Sequence, residues 1–365
     1  MKNQEIQVLR GIACLFVLGY HIVIAIPNIQ MYYKNICSIF MCGNLGVDLF
    51  FSISGFFAVK SLYRHEETIV GIKMIKKFLG RRLKRIIPPS IFWVTFQTVL
   101  VVFFPWAGSL YSTISHGLAC LLQIANFYLF YHAEDPDKLG NFGYFWTLSL
   151  EFQFCVIIAL LGFCLSRKIL KYLYLTMGVI FSVLRCGVVI ENLGIDYRLL
   201  SFRMDGLFLG AAISLFLMDG NLKRIKNYYI CHRMASAMVA FVFHLILWTG
   251  GGVIFNIDAI GKYMMYGIIS TGLVLFALPD LGISVPLVSG ICKKVLEMIG
   301  NKSYSIYLGH MIIIMFLQSF LTVKFGVMWN NKYIFVLYVP VLILIVFSLC
   351  SISDLLFEKN KRGNE

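Results

Sequence analysis

Residues 5–27, EIQVLRGIACLFVLGYHIVIAIP, form an apolar run that is long enough to cross a lipid bilayer. A spanning helix needs about 20 such residues. The whole chain is similarly apolar, because 59% of its 365 residues are hydrophobic and only 14% are charged. Soluble domains carry roughly 45–50% apolar and about 25% charged residues. The composition therefore excludes an ordinary soluble domain and predicts an all-α polytopic membrane protein.

The apolar stretches predict about ten transmembrane helices. The stretch 111–131 is also apolar, but a crossing there would move the basic residues Arg167 and Lys168 to the outer side, against the positive-inside rule. We therefore predict a re-entrant or interfacial segment at 111–131. The ten predicted spans are residues 5–27, 44–63, 86–106, 145–165, 172–190, 202–218, 234–251, 262–280, 302–322 and 333–353.

Basic residues are concentrated on one side of this predicted topology. The chain has 32 Lys and Arg against 18 Asp and Glu, which gives a formal net charge of +14. Basic loops mark the cytoplasmic side of a membrane protein, so we expect both termini in the cytoplasm. The charge is then explained by topology and not by nucleic-acid binding. The basic segments are loops 64–85, 166–171, 219–233 and 281–301 and the tail after 353.

The ten cysteines predict free thiols, since most lie in apolar segments where Cys behaves as a small hydrophobe. A local bridge between Cys37 and Cys42, which share an outward loop, stays open. The sequence has no C-x-x-C, H-E-x-x-H, P-loop or G-x-S-x-G motif, so we predict no metal site and exclude the commonest motif-bearing enzymes.

Ionisable residues inside membrane spans cost free energy, so we treat them as candidates for functional residues. Arg10 and His21 are eleven residues apart in the first span, so they lie within about 20° of one helical face and roughly 16 Å apart along the axis. Arg10 is placed toward the cytoplasm, where a guanidinium can bind phosphate. The alternative is that Arg10 reaches the inner interface and His21 only bonds a neighbouring helix.

Two carboxylates are placed in the outer half of the membrane. Asp48 in GVDLFFSISGFF lies at the predicted depth of His21 and is either its partner or a helix cap. Glu151 in FWTLSLEFQF needs either a protonated state or a partner from another helix, and His21 or Arg203 can supply that partner. We predict His21, Asp48 and Glu151 as catalytic residues.

Six further residues complete the candidate site. Arg82 and Arg85, in GRRLKRIIPP, abut the third span, although the positive-inside rule alone can explain them. Arg203 and Asp205 begin the sixth span, where interfacial residues are the simpler interpretation, and a buried structural histidine is the simpler one for His310. Arg10, Arg82 and Arg85 cluster at the predicted inner side, an arrangement that suits a donor with an anionic head. The residues assigned to substrate binding are Ser149, Arg203, Asp205 and His310.

Five blocks in order resemble the acyltransferase-3 family of bacterial integral-membrane acyltransferases. The resemblance covers nearly the whole chain. The blocks are Arg-x10-His at Arg10 and His21, GVDLFFSISGFF, the Arg82 and Arg85 pair followed by Pro-Pro, WTLSLE, and SYSIYLGH. Phe152 stands where many relatives have a second Glu, and Cys155 where Tyr is usual, so Glu151 is expected to act without a second carboxylate there.

The resemblance implies acyl-CoA, usually acetyl-CoA, as a cytoplasmic donor substrate in a bacterial inner membrane. It implies transfer to a hydroxyl of a surface glycan or lipid-linked saccharide, with His21 as the base and Arg10, Arg82 and Arg85 on the donor. Direct attack on the thioester and an acyl-histidine intermediate both stay open. No permanently bound cofactor is implied.

We expect one transmembrane domain over residues 1–353 and a basic tail over 354–365. Some relatives append an extracytoplasmic esterase-like domain, so here either the membrane domain or a separate partner is expected to finish the transfer. The alternative function is a transporter or flippase of an acylated or charged envelope precursor. We find none of the helix-breaking repeats that favour a transporter. An idle relative kept for complex assembly is a third interpretation. The sequence does not indicate the oligomeric state.

Overall fold

A computed structural model gives the fold of the protein. It describes residues 4–41, 43–63, 71–185, 203–219, 259–277, 290–326 and 332–357. Throughout these ranges the regular secondary structure is helical, without a β-strand. The predicted all-α class is therefore confirmed for the described part of the chain.

Thirteen α-helices occur in the described residues, and three 3₁₀ turns join some of them. The turns are Pro105–Ala107, Pro136–Lys138 and Gly143–Phe145. In chain order the helices are α1 (Gln4–Ala25), α2 (Ile29–Tyr32), α3 (Lys34–Phe40), α4 (Gly43–Leu62), α5 (Ile72–Phe103), α6 (Leu110–Leu121), α7 (Ala125–Tyr131), α8 (Trp146–Cys164), α9 (Arg167–Leu184), α10 (Asp205–Met218), α11 (Ala259–Phe276), α12 (Gly290–Phe325) and α13 (Lys332–Phe357).

Six of the described helices are long and apolar enough to cross a membrane. They are α1, α4, α5, α8 with the turn before it, α12 and α13. Three further predicted spans overlap α9, α10 and α11, which have 18, 14 and 18 residues. The predicted span 234–251 lies outside the described residues. An integral membrane protein with several spanning helices is thus supported, and the number ten stays a prediction.

The apolar stretch 111–131 forms two short helices. α6 has 12 residues and α7 has 7, both shorter than the roughly 20 residues that a crossing needs. Gln123 interrupts the helical path with a left-handed backbone, φ 59°. The Nε2 of Gln123 donates to the carbonyl of Cys120, 2.8 Å away. A continuous spanning helix is therefore absent from this stretch.

Two helices begin well before the spans predicted from hydropathy. α5 begins at Ile72 and not near residue 86, so the basic residues from Lys73 to Arg85 lie on a helix and the predicted loop 64–85 is wrong from residue 72 onward. α12 begins at Gly290, although its span was predicted from residue 302. Hydropathy locates the part of a helix in lipid, whereas charged residues such as Lys and Arg also favour helix and extend it into water.

The chain divides into two compact units. The first unit contains Met1–Ala13, Asn44–Arg82 and Leu150–Asn301, and the second contains Cys14–Gly43, Leu83–Ser149 and Lys302–Glu365. α4 and α10 approach closely in the first unit, because a Cβ on Gly210 would lie 2.1 Å from the Ser52 carbonyl oxygen. Small residues allow such close helix contacts in membranes.

Candidate functional site

His21 lies on α1, in the second unit, and is half-buried among aromatic rings. Its ring centroid is 4.8 Å from that of His310, 5.4 Å from that of Tyr20 and 6.5 Å from that of Tyr144. The Nδ1 of His21 is 2.9 Å from the Nε2 of His310. The structure therefore brings together the two histidines that the sequence places 289 positions apart.

His310 is held by its own helix and by close packing. It is 1% exposed, and its Nδ1 lies 2.8 Å from the Tyr307 carbonyl oxygen and 3.0 Å from that of Ile306. The preceding Gly309 has no room for a side chain, because a Cβ there would lie 2.3 Å from the Trp93 ring and 2.9 Å from the Cys350 sulfur. Helices α5 and α13 thus fix the backbone at the second histidine.

The WTLSLE and SYSIYLGH blocks meet beside the histidines through hydroxyl groups. The Tyr144 hydroxyl donates to the Leu308 carbonyl. The Tyr307 hydroxyl donates to the Tyr144 carbonyl at 2.9 Å, and the Oγ1 of Thr147 is 2.5 Å from the Tyr307 hydroxyl. These bonds tie the beginning of α8 to the part of α12 that carries His310.

Aromatic contacts lie beyond the histidine pair on α12, toward the C-terminal end of that helix. The turn that follows α5 contacts α12 through aromatic rings, with Trp106 stacked on Phe316 at a centroid distance of 5.4 Å. Phe316 follows His310 by six residues, or about 9 Å of helix. A second aromatic contact, Phe104 with Phe316, lies at the same level. His310, and with it the histidine pair, therefore lies about 9 Å along α12 from these aromatic contacts.

Asp48 is fully buried in the first unit and pairs with arginines. Two nitrogens of Arg185 donate to its carboxylate at 3.0 and 2.7 Å, and the Nη2 of Arg203 lies 3.3 Å from it. Arg185 also donates to Asp205 at 2.9 Å. α4 begins at Gly43, so Asp48 is inside the helix and its interpretation as a helix cap is wrong. Its partners are the arginines.

Arg185 is a residue that the sequence reasoning missed. It is 2% exposed and bonds two carboxylates, so it holds α4 and α10 together. Arg203 and Asp205, for which an interfacial position was the simpler interpretation, are 1% and 0% exposed. Arg185 stands alone near the end of a predicted span, and an arginine inside an apolar segment is a signal that could have identified it.

Glu151 pairs with Arg82, and neither predicted partner, His21 or Arg203, is the one observed. The Nη1 of Arg82 is 3.6 Å from the Oε1 of Glu151 in the first unit. Arg85, in the second unit, instead places its guanidinium over the Tyr304 ring, 5.5 Å from the centroid. The structure therefore gives the two arginines of the Arg-x-x-Arg pair different neighbours.

The other predicted residues have local roles in the structure. Ser149 is 1% exposed, and its Oγ accepts a hydrogen bond from the N–H of Ala125, the first residue of α7, at 3.1 Å. Arg10 is half-buried on α1, about three turns before His21. Cys37 is a free thiol, and Cys42 lies outside the described residues. Within the described ranges, no three His, Cys, Asp or Glu residues are grouped to hold a metal ion.

Comparison with known proteins assigns the family. Residues 3–353 match the family model Acyl_transf_3, described as an acyltransferase domain. A protein of Staphylococcus aureus strain COL, named as an unverified O-acetyltransferase, is 25% identical over 335 residues, which cover 86% of this chain and 50% of that protein. O-acetyltransferase OatA of S. aureus strain NCTC 8325 is 26% identical over 298 residues, covering 76% of this chain and 47% of OatA.

The chain thus spans about half the length of the curated relatives that it matches. No solved structure matches it significantly. The family model nevertheless covers almost the entire chain, including every block on which the sequence resemblance depends. The chain belongs to the acyltransferase-3 family.

Proposed function

We propose that the protein moves an acetyl group from acetyl-CoA at the cytoplasmic side to a hydroxyl of an envelope glycan or lipid-linked saccharide. His21 is the general base in this proposal. The observation that carries it is the hydrogen-bonded position of His21 in the family's first block, with Nδ1 engaged by His310 at 2.9 Å. The names of the relatives, which specify O-acetyl transfer, support the reaction type.

The reaction requires one proton transfer and one acyl transfer. The Nε2 of His21 takes the proton of the acceptor hydroxyl, and the hydroxyl oxygen attacks the carbonyl carbon of the thioester. The carbon–sulfur bond breaks, the ester forms, and the CoA thiolate receives the proton from the imidazolium. An acyl-histidine intermediate would divide the same change into two steps. Either route leaves the enzyme unchanged.

The donor is assigned to the cationic residues of the predicted inner side. Arg10 belongs to the same uninterrupted helix as His21, and their axial separation of roughly 16 Å is comparable to an extended pantetheine arm. Arg82 and Arg85 would contact the phosphate groups, because guanidinium groups bind phosphate in a bidentate manner. The bilayer position of the protein, with both termini in the cytoplasm, is part of the same proposal.

Mass spectrometry of envelope glycans from the native host, with and without the gene, tests this function. We expect base-labile acetyl esters to disappear without the protein and to return with the wild-type chain but not with His21→Ala. A transporter, the competing proposal, would still need an acetylating enzyme elsewhere and would consume no acetyl-CoA in purified form. Identical acetyl content in both strains would contradict the proposed function.

A further inference from the structure

We propose that His310 is a positioning residue for His21, and that the two imidazoles form a proton relay that ends at backbone carbonyls of α12. The inference rests on the proposed function, since it describes how His21 becomes a base. Every residue in the argument belongs to the second unit. The geometry fixes the direction of the hydrogen bonds from His310 to its carbonyls and then of the one between the two rings.

The surroundings of Nδ1 determine where His310 carries its proton. This nitrogen faces two carbonyl oxygens, of Tyr307 at 2.8 Å and of Ile306 at 3.0 Å. Carbonyl oxygens only accept hydrogen bonds, so Nδ1 must be the N–H donor. In a neutral imidazole the other nitrogen is then an acceptor. The Nε2 of His310 therefore presents a lone pair to His21.

The tautomer of His21 follows from that lone pair. Its Nδ1 is 2.9 Å from the Nε2 of His310, and two acceptors cannot form a hydrogen bond, so Nδ1 of His21 carries the proton. Two imidazolium rings in contact would repel each other, which favours the neutral pair at rest. The Nε2 of His21 is thereby left as the proton acceptor. A carboxylate usually orients a catalytic histidine, and a second histidine has that role here.

Protonation of His21 then moves charge toward the backbone. When Nε2 takes the proton of the acceptor hydroxyl, the Nδ1 proton of His21 can pass to the Nε2 of His310. His310 becomes an imidazolium whose Nδ1–H points at the Ile306 and Tyr307 carbonyls. The protons return in the opposite order when His21 protonates the leaving CoA thiolate. No proton is gained or lost over the cycle.

The titratable side chains near the pair include three tyrosines and the Cys350 thiol, which packs against Gly309. The Tyr144 and Tyr307 rings lie 5.0 and 5.7 Å from that of His310, and Tyr20 lies 5.4 Å from His21. The hydroxyls of Tyr144 and Tyr307 donate to the carbonyls of Leu308 and Tyr144. These two tyrosines therefore pack against the imidazole rings, and their hydroxyl protons are donated to carbonyls and not to the imidazoles.

Nitrogen NMR of the full chain in nanodiscs tests the hydrogen-bond directions without any enzyme assay. The protein is labelled with ¹⁵N-histidine, and the His21→Gln and His310→Gln variants assign the signals. We expect protonated Nδ1 and unprotonated Nε2 on both rings at neutral pH. His310→Gln should preserve the His21 tautomer because its amide oxygen can accept the same bond, whereas His310→Leu should release it. A proton on Nε2 of His21 in the wild type would overturn the proposal.

Kinetics separate positioning from the proton relay. His310→Gln cannot take up a proton, so we expect kcat to fall about 10- to 100-fold, a part of the 10²–10⁴ that a general base contributes. The KM for acetyl-CoA should change less than about twofold, and the acid limb of the kcat–pH profile should shift. His310→Leu should lose more activity. The matched control is His116→Gln, another buried histidine of the second unit, and its profile should match the wild type.

The two experiments distinguish failure of the relay from failure of the proposed function. Wild-type kcat and an unchanged pH profile in both His310 variants would overturn the relay while acetyl transfer itself stood. A wild-type protein that transfers no acetyl group would refute the function and with it the relay. The NMR result would still show whether His310 sets the tautomer of His21.

Discussion

The Nη1 of Arg82, on α5, lies 3.6 Å from the Oε1 of Glu151, on α8. Their side chains are 12% and 23% exposed, so the pair is largely shielded from water. The carboxylate that the sequence suggests as a catalytic group thus neutralises an arginine assigned to the donor. We interpret Glu151 as the residue that orients the Arg82 guanidinium for donor binding.

Glu151→Gln should therefore weaken donor binding more than chemistry. A partly exposed ion pair contributes about 1 kcal/mol or less, so we expect the KM for acetyl-CoA to rise about two- to fivefold, with kcat within about twofold of wild type. The assay uses [¹⁴C]acetyl-CoA and inside-out membrane vesicles that contain the host's envelope glycans. Lys76→Gln, an exposed change on the same helix, is the control. A large fall in kcat at constant KM would instead make Glu151 catalytic.

The double variant Arg82→Ala, Arg85→Ala should impair donor use without unfolding the protein. Hydrogen bonds to charged groups contribute about 1.5–3 kcal/mol each, so the KM for acetyl-CoA should rise about tenfold or more. Thermal unfolding in detergent should stay close to wild type. The double variant Lys73→Ala, Lys76→Ala removes equal charge from the exposed part of α5. If both double variants had the wild-type KM, Arg82 and Arg85 would be charges that only set topology.

Asp48→Asn should destabilise the protein, because Asp48 shares Arg185 with Asp205 in a fully buried cluster. Breaking a buried ion pair costs about 3–5 kcal/mol, whereas replacing both partners by apolar residues is often tolerated. We expect Asp48→Asn to lower the thermal midpoint. The double variant Asp48→Leu, Arg185→Leu should have a higher thermal midpoint than Asp48→Asn. An Asp48→Asn protein with wild-type stability and no activity would return Asp48 to the catalytic set.

Gly309→Ala should disturb the histidine pair through packing. The new Cβ would lie 2.3 Å from the Trp93 ring, and Trp93 is 1% exposed and cannot move aside easily. Overpacking costs about 1–3 kcal/mol, so both thermal midpoint and activity should fall. The double variant Gly309→Ala, Trp93→Phe should regain part of the lost thermal midpoint and activity. Gly80→Ala has open space around its Cβ and serves as the control; equal behaviour of the two variants would remove the packing argument.

Hydropathy predicts the helical class because about 20 apolar residues with few charges have few alternatives to a spanning helix. It misplaces the beginnings of α5 and α12, which extend through basic residues to Ile72 and Gly290. It also cannot detect the break at Gln123, which depends on a left-handed backbone at a single residue.

The sequence identifies most charged residues of the site but not their partners. His21 and Asp48 are predicted as a possible pair, yet His21 bonds His310 and Asp48 bonds Arg185. The position of a residue within a predicted span indicates its depth in the membrane. Its hydrogen-bond partner depends on which helix faces pack together, and the sequence of one chain does not show that. His310, for which a buried structural histidine was the simpler interpretation, is 1% exposed and forms a hydrogen bond with His21 that the sequence did not predict.

The most direct test of the account is acetyl transfer by His21→Gln in inside-out vesicles. Loss of the general base should reduce transfer from acetyl-CoA to the envelope glycan by about 10²–10⁴, while the thermal midpoint in detergent stays at the wild-type value. A folded His21→Gln protein that acetylates the glycan at the wild-type rate would contradict the central claim that this imidazole performs the proton transfer.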